Sequence, residues 1–355
     1  MGPIDPLDTQ IIYDMIAHAI TDGKAENTLV ICWPAEPIVS LGYFQEVDKD
    51  IDLEFCREND IMITRRVIGG GGVYLDDGQM FYQLISRIDS PVVPKDINAY
   101  YRKFLQAPVE TYRDMGIEAD FKPVNDIQAD GKKISGNGAG DVEDARILTG
   151  NLIFTFNYDM MTKVLKVPSE KFRDKIAQSL RERMGTIEGL VGSLPDREET
   201  KKNLIRHFQE TLDIQLVSGE LSDYERKKMG EMRPRYLSDE WLFWRSGRKF
   251  KDARTVRISA TTFVGTADYK APGGLIRVTV EDVEDKIKDI VLSGDFFMLP
   301  HDALGKIESL LVGVKTSESD LRERIERIYA EIGIDSPGVT PEDIAKTIML
   351  ALEEK

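Results

Sequence analysis

The chain has 355 residues, 41% hydrophobic and 31% charged, with 62 acidic side chains against 47 lysines and arginines and a net charge of -15. That length predicts two units, one large and one small, with ample core, while the acidity argues against a nucleic-acid binder, which needs basic surface. Two cysteines, Cys32 and Cys56, and three dispersed histidines, His18, His207 and His301, argue against a disulfide framework and a zinc site.

Apolar residues recur at helical spacing over 7–20 and predict a helix. Runs at 29–33 and 38–41, separated by Pro34 and Pro37, predict strands. A short helix over 51–58 and a strand over 61–64 then lead into Arg65-Arg66-Val67-Ile68-Gly69-Gly70-Gly71-Gly72-Val73-Tyr74. Each of the four glycines costs roughly 0.5–1 kcal/mol relative to Ala in regular structure. A domain usually has only ~5–15 kcal/mol of stability in all. Such a run between two predicted strands points to backbone pressed close against something, and beside two arginines it suits an anionic ligand. The alternative is an ordinary mobile hairpin loop.

An alternating stretch at 79–85 predicts the next strand, and a single amphipathic helix is predicted over 96–115, ended by Gly116. Asp130-Gly131 marks a hairpin between 124–127 and 132–138, and residues 151–156 predict a further strand. From 159 to 246 the pattern is helical, its charge runs being solvated helix faces. Past the charged stretch at 245–249, strands are predicted over 254–264, 274–280 and 286–292, and helices over 301–312, 317–332 and 341–353. The expected units are residues 1–247 and 248–355. No basic-then-apolar leader and no apolar run near the ~20 residues of a membrane span are present; a cytoplasmic protein without a membrane partner is expected.

Phosphate-binding fingerprints fail: Gly131-Lys132 is followed by Lys133 rather than Ser or Thr, and Tyr74 and Asp141 stand where the dinucleotide pattern needs its last glycine. The thiols sit in apolar patterns that favour buried, inert cysteines. What remains is a cationic set, Arg65, Arg66, Lys132 and Lys133, on two glycine-rich loops. A charge ~4 Å from an anionic oxygen is worth ~4 kcal/mol at an effective dielectric of 20. It could stabilise charge growing on a carboxylate or an α-phosphate. Asp126, in the preceding strand, could hold a magnesium ion or a ribose. These residues describe a two-loop anion site beside an apolar sheet.

The motif Arg65-Arg66-x-x-Gly69-Gly70-Gly71-x-Val73-Tyr74-x-Asp76, with Asn125-Asp126-Ile127 and Gly131-Lys132-Lys133-Ile134-Ser135-Gly136-Asn137, resembles the lipoate–protein ligase family. The segments 37–45 and 163–168 add to the likeness, which runs over residues 7–245, and 253–355 resemble the family's accessory domain. The resemblance implies an α+β fold: a large mixed-sheet domain of the biotin/lipoate ligase type with a smaller α+β C-terminal domain. It implies that lipoate and ATP, with Mg, form lipoyl-adenylate, whose acyl group passes to a lysine of an acceptor protein. Carried over by motif, Lys133 is the catalytic lysine, and Arg66, Gly71, Gly72, Val73, Tyr74, Asn125 and Asp126 meet the nucleotide. Asp126 would also meet the metal. Arg65, Gly69, Gly70, Lys133, Ser135 and Gly136 meet lipoate.

Three departures stand out. Leu75 replaces the family's usual His, Gln79 its Asn, and Thr149-Gly150-Asn151 a common His-Gly-Thr. They suggest a specialised acceptor and bear on the preferred acyl chain. The rival readings are an ATP-independent octanoyl- or lipoyl-transferase working through a cysteine, and a lipoyl-compound binder without turnover. Both thiols precede the glycine run, whereas the transferases' nucleophile lies beyond it. Biotin ligase is disfavoured because its Gly-Arg-Gly-Arg loop is replaced here.

Overall fold

The computed structural model describes residues 1–167, 169–246, 256–257 and 262–353. The expected boundary at 247/248, Pro168 and most of the strand expected over 254–264 lie outside them. The fold is α+β, as expected. Its main sheet centres on the strand Gln79–Arg87, which pairs antiparallel with Thr28–Pro34 on one side and Ala145–Ile153 on the other. Asn137–Val142 continues the sheet beyond Ala145–Ile153, and Pro3–Ile4 lies parallel at the opposite edge.

Side chains alternate across this sheet. Met80, Tyr82 and Leu84 join one core, packed against helices Ile97–Phe104, Gln106–Asp114 and Arg197–Leu212. Phe81 and Ile85 join the other, under helix Asp8–Thr21, whose Ile11, Ile12, Met15 and Ile16 are fully buried. Where one helix was expected over 96–115 there are two. Pro108 cannot donate to the carbonyl of Phe104, where the first helix ends. The strand expected from 151 begins at Ala145 and stops at Ile153. The glycines of its neighbour are packing sites: a Cβ on Gly138 or Gly140 would lie 3.2 or 3.3 Å from Ile68.

The region 159–246 is helical, and its charge runs behave as solvated faces. Helix Glu170–Arg183 buries no residue, and Asp223–Tyr236 buries only Glu225 and Tyr236. Beyond it, Thr262–Ala271, Gly274–Val283 and Lys286–Gly294 form an antiparallel meander, with Val256–Arg257 at its edge. Helices Ala303–Leu311, Glu318–Ile332 and Pro341–Leu352 follow, the last started by a Thr340/Asp343 capping box. This module packs directly on the first. The rings of Phe44 and Phe296 stack 5.3 Å apart, Gly294 N donates to Phe44 O at 3.0 Å, and Arg277 reaches Asp50 at 3.2 Å. Arg245 and Glu308 form a buried ion pair at 2.6 Å beside this junction.

Candidate active site

The glycine run is not a hairpin. Its flanking strands, Met62–Arg65 and Val73–Leu75, do not pair with each other; both flank Ile38–Leu41, the first parallel and the second antiparallel. The chain must therefore cross the end of that sheet, and it does so against the C-terminal module. A Cβ on Gly69 would sit 2.4 Å from Phe296 O. Gly70, at φ 91°, donates its N–H to the same carbonyl at 3.0 Å. The expected close approach is thus made to this chain's own backbone, and the loop is held rather than free.

The two arginines part company. Arg65 was expected to meet lipoate, but it is fully buried and does not line the cavity. Its guanidinium donates to the carbonyls of Gly42, Tyr43 and Gln45 at 3.0, 2.8 and 2.7 Å, and to Trp241 and Leu242 at 3.1 and 2.7 Å. Such a donor set clamps the loop after Leu41 to the short helix Asp239–Leu242. Arg66 lines the cavity from beneath the glycines, with Nη2 on the carbonyls of Gly69 and Gly71 at 2.7 and 2.9 Å and Nη1 on Ser40 O at 2.9 Å. Burial lowers its pKa to about 10, and that of Arg65 to about 9, so both are cationic at neutral pH. The carboxylates that ion-pair with arginines elsewhere in the described residues do not pair with these two. A loop laid over such buried positive charge is suited to an anion.

The second loop is the hairpin Asp126–Ala129/Lys132–Ser135, turned through Asp130 and Gly131, both at positive φ, as a tight two-residue turn requires. Alternation sends its lysines opposite ways. Lys132 donates to Arg181 O at 3.4 Å on the outside, whereas Lys133 lines the cavity. The Lys133 ammonium lies 2.6 Å from Asp126 Oδ1. Asp126 is therefore a partner of the lysine, and it does not line the cavity. No group of three His, Cys, Asp or Glu side chains among the described residues could hold a metal. Asp126, the carboxylate expected to meet magnesium, is taken up by Lys133 in this structure. Ser135 is also displaced from its expected role, being fully buried behind the cavity 3.3 Å from the Tyr82 hydroxyl. Gly72 turns away as well: a Cβ there would meet Ile51 at 3.0 Å.

Gly69, Gly70, Gly71, Val73, Tyr74, Asn125 and Gly136 do meet Arg66 and Lys133 around one cavity of ≈ 370 Å³. Several of its walls escaped the sequence reading. Phe297, from the C-terminal module, lies against Gly70 and Gly138; a Cβ on either would come within 2.8 Å of its ring. Gln10 and Tyr13 enter from the first helix, where helical periodicity marked only the apolar face. Leu75, Gln79, Thr149 and Asn151, the positions that depart from the family pattern, all line the cavity, as does Gly150. Asn151 Nδ2 donates to Gln79 Oε1 at 3.2 Å, and Asn151 Oδ1 accepts from Gly136 N at 2.8 Å. Neither thiol is there. Cys32 and Cys56 are free and fully buried, and burial raises their pKa values to about 12 and about 11.

Residues 5–209 match the family described as the lipoyl protein ligase A/B catalytic domain, and residues 261–348 that described as the bacterial lipoate protein ligase C-terminus. The lipoate-protein ligase A subunit 1 of Thermoplasma acidophilum is 35% identical over 214 residues, 57% of this chain and 79% of its own length. A lipoate-protein ligase of Bacillus subtilis is 28% identical over 323 residues, covering 90% and 91% of the two chains. An octanoyltransferase of Moorella thermoacetica is 26% identical over 260 residues, covering 68% and 95%. Among solved structures, a bi-partite lipoate protein ligase of T. acidophilum, described with its E2 lipoyl domain, superposes with a TM-score of 0.60 at 28% identity, over 73% of this chain and 98% of that one. A lipoate-protein ligase A bound with ATP does so at 0.56 and 27%, over 68% and 96%.

Proposed function

Because the chain belongs to the lipoyl protein ligase A/B catalytic-domain family, we propose that it is an ATP-dependent lipoate–protein ligase. A lipoate carboxylate oxygen attacks the α-phosphorus of ATP, the new P–O bond forms, and pyrophosphate leaves. The ε-amine of an acceptor lysine then attacks the acyl carbon; the C–N bond forms, AMP leaves, and the amine loses its proton. A lipoyl domain like that paired with the T. acidophilum relative is the acceptor class we assign. Residues 1–247 carry this chemistry and 248–355 form the accessory unit.

In this reading Lys133 stabilises the charge that develops on the carboxylate and phosphate oxygens; its position on the cavity wall supports that role. Arg66, under Gly69–Gly71, fixes positive charge below the loop that receives the nucleotide. Asn125, Val73 and Tyr74 complete the nucleotide side, and Gly69, Gly70 and Gly136 the lipoate side.

The observation that favours this reading over an acyl-cysteine transferase is the placement of the thiols. Both are buried away from the cavity with raised pKa values, and an acyl-enzyme needs an accessible thiolate. Incubation with lipoate, magnesium and radiolabelled ATP should give lipoyl-adenylate, then an amide on an added lipoyl domain. Acyl transfer from a carrier thioester without ATP would favour the transferase instead. Tight binding with neither product would favour a binder.

A further inference from the structure

Two glycines on separate segments of the first module face one side chain of the second. A Cβ on Gly70 would lie 2.8 Å from Phe297 Cζ and 3.4 Å from its Cε1, and a Cβ on Gly138 would lie 2.8 Å from Cε1 and 3.2 Å from Cζ. The same edge of the ring therefore stands between the two, and neither position can take a side chain unless the ring moves. Gly70 belongs to the loop that Arg66 holds by the carbonyls of Gly69 and Gly71, and its Cβ would also come within 2.9 Å of Arg66 Nη2. Gly138 belongs to the strand Asn137–Val142, which follows the hairpin strand Lys132–Ser135 after the single residue Gly136.

The segment that carries the ring is pinned on both sides. Towards the first module, Gly70 N donates to Phe296 O, Gly294 N donates to Phe44 O, and the rings of Phe296 and Phe44 stack. Within its own module, Asp295 N donates to Leu275 O at 3.2 Å, and Leu275 N donates back to the Asp295 carboxylate. The strand that the ring meets is held as well. Asn137 Nδ2 donates to Asn125 O at 2.9 Å, Asn125 Nδ2 donates to Asn137 O, and Gly136 N donates to Asn151 Oδ1. A ring edge fixed between two fixed walls acts as a spacer. On one side of it is the loop over Arg66, and on the other the segment that leaves Lys133, the two cations that line the cavity.

We propose that Phe297 is a positioning residue for adenylate formation: its ring edge sets the loop over Arg66 against the strand that follows Lys133, so the C-terminal module completes a site whose cations both belong to the first. Charge builds on the carboxylate and phosphate oxygens together, and fixed cations stabilise it only while their spacing matches. A misplacement of about 1 Å in such a site can cost about a hundredfold in rate. Without the ring, two glycines face each other across the gap, and neither carries a side chain to keep the walls apart. The ring acts through these walls and not on the reacting atoms. This assignment rests on the ligase reading of the site.

The test is a double-mutant cycle on the full chain, read by pyrophosphate release at saturating lipoate and ATP and by thermal melting. Phe297→Ala should lower turnover roughly ten- to a hundredfold, while the KM for ATP moves by less than about threefold. Phe297→Leu refills part of the gap and should recover part of the rate. Gly138 is the partner for the cycle, because Gly70 at φ 91° would be strained by any side chain. Gly138→Ala should slow turnover and lower the melting temperature in the wild-type chain. It should do markedly less of both in Phe297→Ala, where its Cβ meets only Ile68 at 3.2 Å. Additive losses in turnover, turnover of Phe297→Ala within about twofold of wild type, or a fall confined to the KM for ATP each overturn the positioning role. No pyrophosphate from the wild-type chain overturns the ligase reading instead. The melting cycle then decides on the spacer by itself: coupling between the two positions upholds it, and additivity overturns it.

Discussion

Replacing Lys133 by Ala separates catalysis from folding in this site. The side chain is 36% exposed and its partner Asp126 30% exposed, with 2.6 Å between the charged atoms. A pair that open to solvent contributes ~1 kcal/mol or less to stability, and Asp126 left alone can be hydrated, so the melting temperature should move by no more than a few degrees. The charge lost from the reacting oxygens is another matter. At ~4 Å and an effective dielectric of 20 it is worth ~4 kcal/mol, about a thousandfold in rate. The assay is pyrophosphate release in the presence of lipoate, with circular dichroism and a thermal melt on the same preparations. Lys133→Arg keeps the charge and should recover part of the rate; Asp126→Asn should keep most of it, because the ammonium remains. Adenylation within tenfold of wild type in Lys133→Ala would remove the lysine from the chemistry.

Three further outcomes follow from the packing. Gly69→Ala should weaken the hold of the C-terminal module on the loop, because its Cβ would lie 2.4 Å from Phe296 O, whereas Gly71→Ala meets nothing nearer than 3.7 Å and should melt like wild type; equal melting of the two variants would refute the contact. Arg65→Lys cannot reach carbonyls on both sides of its clamp and should lower stability by ~3 kcal/mol or more in denaturant titrations; a loss below ~1 kcal/mol would contradict that role. Burial depresses the His301 pKa from 6.5 to about 4, with Arg235 adding to the effect. Above pH 6.5 the ring is neutral folded or unfolded and contributes no slope; as pH falls from 6.5 towards 4 the unfolded chain takes up the proton first, and roughly 3 kcal/mol is withdrawn. His301→Phe keeps a ring against Tyr43, 3.7 Å away between centroids, and should remove that slope; parallel stability curves for the two proteins between pH 4 and 7 would rule it out.

The elements that could be read from the sequence were those whose signal is local. The first helix, the Asp130-Gly131 hairpin and the three C-terminal helices each carry their periodicity, turn pair or cap within a dozen residues. Lys133 and the loop glycines were legible for the same reason, since residue type and order mark them. Arg65 was not, because adjacent arginines look alike until Trp241 and Leu242 arrive from ~175 residues later in the chain to take up one of them. Alternation alone would put Ser135 on the face of Lys133, but the hairpin pairs Ile127 with Ser135 and Gln128 with Lys133, a register shift that no local pattern announces; Gly72 turns toward Ile51, a tertiary contact. The glycines of 138 and 140 hid a strand because their purpose, room for Ile68, is a tertiary one. Nothing local to Phe297 says that it crosses to the first module.

The departures from the family pattern change meaning once they have positions. As sequence, Leu75, Gln79 and the segment from Thr149 to Asn151 pointed first to an unusual acceptor protein. In the fold they line the cavity, the space that the proposed function gives to the small molecule. Gln79 and Asn151 form one hydrogen-bonded unit that runs from Tyr74 O, where Gln79 Nε2 donates at 3.3 Å, to the N–H of Gly136. It couples the strand after the glycine loop to the segment after Lys133. Either amide alone would leave a buried partner unpaired, at ~1–3 kcal/mol, so the two departures are physically one change. The cationic groups that suit the reaction sit at Arg66 and Lys133, and the atypical residues lie along the floor beyond them.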